Sequence, residues 1–182
     1  SRKEVNMQRI PRDKARKYAL DWRDDPILKV QVGESFEIET EDASTGYFKT
    51  ADDKSDPSIR PGYDRHPPLS NPVAGPVWLE GAEAGDTLVV SIEDILVDTY
   101  SWIAIGPKRG PLGNSTRWPD LSENYTTMIF SHRPGPSGTT RDGTLHFNER
   151  IAWPITPFVG TLGVAPEREV LTSIDGQGPW GG

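Results

Sequence analysis

The sequence predicts a mainly β fold, a β-sandwich or jelly-roll-like domain with long Gly/Pro-rich loops and little helix. Three observations carry that expectation. Several short runs alternate apolar and polar residues with the period of two that a half-buried strand requires. Glycine and proline number 18 and 17, about a fifth of the 182 residues. That is too much for a helical protein and short of a disordered composition. Only Asp13–Trp22 ("DKARKYALDW") strings good helix formers together.

Taken in order, residues 1–26 read as an N-terminal arm with room for one short helix. Ile27–Val32 ("ILKVQV") alternates, Gly33-Glu34 marks a turn, and Phe36–Thr40 ("FEIET") alternates again with Phe36 and Ile38 on one face. The two runs predict a hairpin-like pair of strands. Residues 51–72 are polar and broken by Pro57, Pro61, Pro67, Pro68 and Pro72, which predicts a long loop of the kind that often carries function. Gly75–Glu80 ("GPVWLE") predicts a strand. The following "GAEAGD" predicts a turn, with the Asp86 carboxylate accepting backbone N–H groups. Thr87–Val97 ("TLVVSIEDILV") puts Leu88, Val90 and Ile92 on one face of a strand, then shifts phase as a bulge would allow. Residues 106–142 are loop-rich apart from Thr126–Phe130 ("TTMIF"). "TLHF" at 144–147 and the apolar run around Phe158–Val164 supply the last strands. No internal repeat breaks the chain, and one domain over 1–182 is the expectation at this length.

Composition narrows the partners. Lys and Arg total 20 against 27 Asp and Glu, a net charge of −7, so neither nucleic acid nor an anionic membrane is the expected partner. The absence of cysteine excludes a disulfide framework, a thiolate nucleophile and Cys-built metal sites. No apolar run approaches the roughly 18 residues of a membrane span, and residues 1–22 lack a signal-peptide core. A soluble cytoplasmic protein is the expectation.

The chain has no G-x-S-x-G elbow, H-E-x-x-H helix or S-x-x-K motif. A divalent ion, zinc in the first instance, would here have to be held by carboxylate and imidazole side chains. Asp42, in "ETEDASTG", stands at a strand end as a catalytic carboxylate and metal ligand; the competing reading is an Asx-turn closing the strand. Glu80 is a second catalytic candidate, or else a surface carboxylate in a turn. His66, in the proline-rich "DRHPPLSNP", is the histidine best placed for substrate or metal. His132 ("SHRPGP") is weaker, and His146 alternates along a strand as an exposed face residue would.

Two stretches carry more specific information. Asn71–Asp86 ("NPVAGPVWLEGAEAGD") runs into "TLVVSIEDI", and Pro157–Pro166 ("PFVGTLGVAP") runs toward the C-terminal "DGQGPWGG". With "VGESFEIETEDASTG" at 32–46 they resemble, in order and spacing, the acetamidase/formamidase family of amide hydrolases. Glu34 and Ala84 stand where that family often has Asp and Pro. The resemblance covers about residue 30 to the end and makes most of these glycines and prolines scaffold.

What the resemblance implies is a subunit of an amidohydrolase that cleaves the C–N bond of a small linear or cyclic amide with water activated by a divalent ion. The family carries further His- and acid-rich segments after the glycine-rich motif. The chain is therefore expected to work with a second chain bearing the C-terminal half, and to form higher oligomers of that heterodimer. One alternative is an N-terminal-nucleophile amidase generated by cleavage after Gly182. Others are a hydrolase of an imide or carbamoyl group, and a non-catalytic binding or structural subunit on the same scaffold.

Overall fold

A computed structural model of the chain describes residues 7–174. The "DGQGPWGG" segment, with Trp180 and the cleavage point after Gly182, lies outside the described residues. So do the first six residues of the N-terminal arm. The strands of the first half are β1 (Gln8–Ile10), β2 (Ala19–Asp21), β3 (Leu28–Val30), β4 (Phe36–Ile38) and β5 (Val77–Leu79). Then follow β6 (Tyr100–Ile105), β7 (Thr126–Arg133), β8 (Thr144–His146), β9 (Ala152–Pro154) and β10 (Val170–Thr172). The α-helices among the described residues are single turns, α1 (Arg12–Ala15) and α2 (Pro119–Ser122). The fold is β-rich with little helix, as the alternation and the Gly/Pro content predict. No described helix is long and apolar enough to cross a membrane.

The chain divides into two compact units, each discontinuous in sequence. The first comprises Ser1–Gly46, Leu69–Val90 and Gly160–Gly182; the second comprises Tyr47–Pro68 and Ser91–Val159. In the first unit β1 pairs in parallel with β4 and β3 in parallel with β5, while β10 runs antiparallel to β2. Ile10, Leu28 and Val30 are buried at its centre, with Phe36, Ile38, Val77 and Leu79 packed around them. Burying each such side chain contributes about 1.5–3 kcal/mol, which is what selects these inward phases of the alternation.

Three expectations are corrected, the first two within this unit. The helix over 13–22 is reduced to one turn. A short helix is marginal in water, and its C-terminal residues have better partners elsewhere. Lys17 exchanges backbone hydrogen bonds of 3.0 and 2.9 Å with Val73, and Ala19–Asp21 pairs with Val170–Thr172. The hairpin between the 27–32 and 36–40 runs does not form. The Gln31–Glu34 turn (Glu34 N–H to Gln31 O, 3.1 Å) separates two strands that each pair in parallel with a different segment. Finally, the runs 87–97 and 158–164 form no strand.

The second unit is built on an antiparallel meander, β6-β7-β8-β9. β6 and β7 are in register from Tyr100↔Ser131 to Ile105↔Thr126. Phe48 and Phe130 are buried in this unit. Phe48 packs against Trp102 (centroids 4.3 Å apart), and Phe130, Phe147 and Trp153 stack in succession at 5.3 and 5.8 Å. The proline-rich excursion is pinned by its own carboxylates. Asp53 accepts the Lys49 and Thr50 N–H groups at 2.8 and 2.7 Å, and Asp56 accepts Ser58 N–H at 2.9 Å. These backbone donors, Lys49 first at Asp53 and Ser58 first at Asp56, hold both carboxyls below their usual range.

Candidate functional site

Two of the three segments that carry the family resemblance, 32–46 and 71–86, meet in the first unit around the loop 42–46. Asp42 opens that loop. Its Oδ1 accepts Ser44 N–H at 2.7 Å, its Oδ2 accepts Gly46 N–H at 2.9 Å, and its carbonyl accepts Thr45 N–H at 2.9 Å. Three successive donors on one residue bend the chain sharply enough that Thr45 takes φ 55°. A β-branched residue in the left-handed region is strained, and here the hydrogen bonds of Asp42 hold it there.

The neighbouring segments are laced onto this loop. Asn71 N–H and Ser70 Oγ both donate to Ala43 O, at 2.9 and 3.1 Å, and Asn71 also takes a positive φ of 52°. Ser173 Oγ donates to Ser70 O at 2.9 Å, and Ser173 N–H donates to Tyr18 O at 3.0 Å. The Tyr18 hydroxyl meets Thr45 Oγ1 at 2.8 Å. Ser173, only 1% exposed, together with buried Ser44 and Ser70, makes this a polar core. Four stretches far apart in sequence are thereby fixed to one another by satisfied buried polar groups.

Sequence reasoning singled out Asp42 and missed the other members of this cluster. "STG" and "SNP" are ordinary turn signals, and no local signal distinguishes Tyr18 or Ser173. Chemically, the Ser70 and Ser173 hydroxyls each spend their proton on a carbonyl, and no imidazole or amine touches them. Among the described residues that is a scaffold arrangement rather than an activated nucleophile. Asp42→Ala, which orphans the Ser44 and Gly46 donors, is expected to lower stability by about 1–3 kcal/mol. Asp42→Asn should recover part of that, because its amide restores only one acceptor oxygen; urea unfolding midpoints give both values.

Beside the cluster lies a shallow groove lined by Arg12, Arg16, Glu39, Glu41, Pro72, Val73 and Ala74, which encloses about 0 Å³ of its own. Small-molecule sites generally enclose about 300–1,000 Å³, so this groove does not sequester a substrate by itself. Its charges are already paired. Arg16 salt-bridges Glu41, and Glu39 takes the Arg12 backbone N–H at 2.8 Å and the Arg9 guanidinium. Those two donors hold the Glu39 carboxyl below its usual range, the Arg12 N–H contributing most.

The other candidates stand elsewhere. Glu80 follows β5 directly, where its N–H donates to Val30 O at 2.9 Å and its carboxylate takes the Gln31 side-chain amide at the surface. No hydrogen bond or ion pair joins it to Asp42. His66 is exposed and belongs to the second unit. His132, on β7, is 9% exposed, with Nδ1 2.6 Å from Asp98 O and Nε2 2.9 Å from Ser101 Oγ. A neutral imidazole satisfies both by carrying its proton on Nδ1 and accepting the serine O–H at Nε2, which makes this histidine a bracket between strands. His146 is half-buried, its Nε2 3.1 Å from Thr144 Oγ1, rather than an exposed face residue. Asp86 behaves as expected for its turn, accepting Glu83 N–H at 2.9 Å.

Among the described residues no three His, Asp or Glu side chains come together in a way that could hold a metal ion. The donors present, Asp42 and His66 included, therefore do not fit a complete divalent-ion site, and no chemical step can be assigned to them through one.

Comparison with known proteins gives this arrangement its context. No curated protein matches the chain. An acetamidase from Bacillus halodurans superimposes with a TM-score of 0.75 at 27% identity, covering 96% of this chain and 51% of that one. A predicted acetamidase/formamidase from Thermoanaerobacter tengcongensis shares the fold with a TM-score of 0.68 at 24% identity, over 91% of this chain and 48% of that one. An acetamidase from Yersinia enterocolitica gives 0.67 at 26% identity, over 87% and 46%. The chain thus spans about half the length of each of these solved structures. Residues 4–177 match the model of the acetamidase/formamidase family, and the chain belongs to that family.

Proposed function

We propose that this chain is one half of an amide hydrolase that cleaves the C–N bond of a small linear or cyclic amide. The second half is supplied by polypeptide beyond this sequence. The observation that carries the reading is the family match over residues 4–177, together with acetamidase relatives about twice as long. Amide hydrolysis needs a nucleophile, a donor for the oxyanion and an acid for the leaving amine. The Asp42 cluster supports a positioning role in that scheme: it locks the strand-end loop, the Asn71 turn and the β10 segment into one rigid base. Water activated by a divalent ion, zinc first, is the chemistry we favour, with its donor set completed by the second half. A working enzyme would be a heteromer in the cytoplasm, and further oligomerisation belongs to the same proposal.

A non-catalytic scaffold subunit is the second reading, favoured by the fully engaged Ser70, Ser173 and His132 side chains. The experiment that separates the two is ammonia or amine release from a panel of formamide, acetamide and cyclic amides. It uses the assembly of this chain with the second-half polypeptide, with and without chelator. Release that a chelator abolishes and added zinc restores is the expected result. No release from any amide leaves only the scaffold reading. Release indifferent to chelator keeps the hydrolase and removes the metal.

A further inference from the structure

We propose that Ser101 and His132 form a second reactive centre, a serine nucleophile with its general base, which accepts the acyl group of small, uncharged, activated esters. This centre goes beyond the half-enzyme reading and does not depend on it: Asp98, Ser101 and His132 all belong to the second unit.

Donor and acceptor roles follow from the atoms themselves. A carbonyl oxygen only accepts, so His132 Nδ1, 2.6 Å from Asp98 O, carries the ring proton. In the neutral imidazole Nε2 is then bare, and the Ser101 hydroxyl 2.9 Å away donates to it. Nucleophile, base and a third group that orients the base stand in hydrogen-bonded series. The bracket between β6 and β7 is thus also the arrangement that draws a proton from a hydroxyl. The hydroxyls of Ser70, Ser122, Thr127, Thr140 and Ser173 differ, since each donates to a backbone carbonyl, which is no base for it. Thr144 Oγ1 does meet an imidazole, His146 Nε2 at 3.1 Å, but among the described residues no hydrogen bond holds His146 Nδ1.

Register places the pair on one face of the sheet. Ser101 lies opposite Phe130, and His132 is two residues along that strand, so both side chains share a side of the meander. On the same side the next opposed pair is Ile103 and Met128, 60% and 39% exposed, and Ser101 itself is half-buried. The ground beside the hydroxyl is therefore reachable, apolar and uncharged, which sets the class of acyl group. His132 N–H donates to Thr99 O at 2.8 Å and so fixes the phase of the ladder. Ser101 and Ile103 bond to β7, while the Trp102 N–H points away from it, β6 being an edge strand of the four-stranded sheet. The N–H of the residue after a strand-borne serine is an oxyanion donor in hydrolases. One such donor, worth about 10²–10³-fold in rate, suits an ester with a good leaving group rather than an unactivated amide.

In the acylation step Ser101 Oγ attacks the ester carbonyl carbon and its proton passes to His132 Nε2. The bond from that carbon to the leaving oxygen breaks, and the leaving oxygen takes the proton from Nε2. Water then attacks the acyl-serine and gives a proton to Nε2. Ser101 Oγ leaves and takes that proton back, and the carboxylic acid is released.

The test treats this chain with an alkyl fluorophosphonate: the Oγ–P bond forms, the P–F bond breaks, and the serine proton leaves with fluoride. One adduct is expected, mapped to Ser101 by peptide mass, and His132→Gln should label at least about 100-fold more slowly. His132 also brackets two strands, so a second measurement uses the nearly isosteric Ser101→Cys. The chain has no cysteine of its own, and iodoacetamide then reports on that thiol alone. Its alkylation should run at least about tenfold faster than that of Thr144→Cys, because the oriented imidazole of His132 draws off the thiol proton. No adduct, an adduct on another residue, labelling of His132→Gln at the parent rate, or equal alkylation of the two cysteine variants would each overturn the proposal. Amide hydrolysis by the reconstituted enzyme, or its absence, bears on none of these readouts.

Discussion

Phe48→Ala is expected to lower the stability of the second unit by about 3–5 kcal/mol, the range for emptying a buried aromatic site. Phe48 is 0% exposed. Its ring meets Tyr47 edge-on at 4.9 Å and Trp102 at 4.3 Å, and the Arg60 guanidinium lies 5.4 Å from its centroid. Truncation removes the packed ring and these face and edge contacts together, leaving a void that Trp102, anchored on β6, cannot fill by small shifts. Phe48→Leu, which keeps most of the volume, should cost about 1.5 kcal/mol. Urea unfolding gives both values. A loss below about 1 kcal/mol for the alanine variant would mean that the 47–68 segment is not packed on the β6 strand as described.

Gly135→Ala is expected to cost about 3 kcal/mol, the upper end for overpacking, because nothing at that position can yield. A Cβ on Gly135 would lie 2.0 Å from the Asp142 carbonyl oxygen and 2.5 Å from its carbon. Asp142 is pinned in turn, its carboxylate taking the Ser137 hydroxyl at 2.5 Å and the Ser137 N–H at 2.9 Å. Those bonds, the hydroxyl first, hold the Asp142 carboxyl below its usual range. Gly138 in the same loop is the contrasting case. Its φ is +75° with open space where a Cβ would sit, so Gly138→Ala bears only the left-handed penalty of about 1–2 kcal/mol. A Gly135→Ala cost no larger than that of Gly138→Ala would show that the Asp142 turn moves aside.

Much of the fold is legible in local pattern. Alternation locates β3, β4, β5, β7 and β8, and turn chemistry identifies the Asp86 bend. What alternation cannot name is the partner. Phe36–Ile38 pairs with Gln8–Ile10, and Leu28–Val30 with Val77–Leu79, across separations that no local signal spans. β2 was hidden inside a helix-forming run, because pairing with β10 outweighs the weak propensity of a short helix. The strand signal at 87–97 is real but unanswered, since a strand needs a partner and none stands among the described residues.

The site was less legible than the fold. Two of the three resemblance motifs, 32–46 and 71–86, contribute to the cluster, but Ser70, Ser173 and Tyr18 join them only through tertiary hydrogen bonds. For Asp42, counting acceptors distinguishes what the sequence left open: both carboxylate oxygens serve the backbone of the 42–46 loop. Among the described residues Glu80 and His66 gain no partner from the catalytic candidates, and no three His, Asp or Glu side chains come together there.

The central claim is that this chain is one half of a catalytic fold, and reconstitution tests it most directly. Ammonia release from acetamide and formamide is measured for this chain alone, for the second-half polypeptide alone, and for the two mixed. Release by the mixture, with neither component active by itself, is the result this account predicts. Equal release by this chain alone, or none from the mixture once assembly is verified, would contradict it.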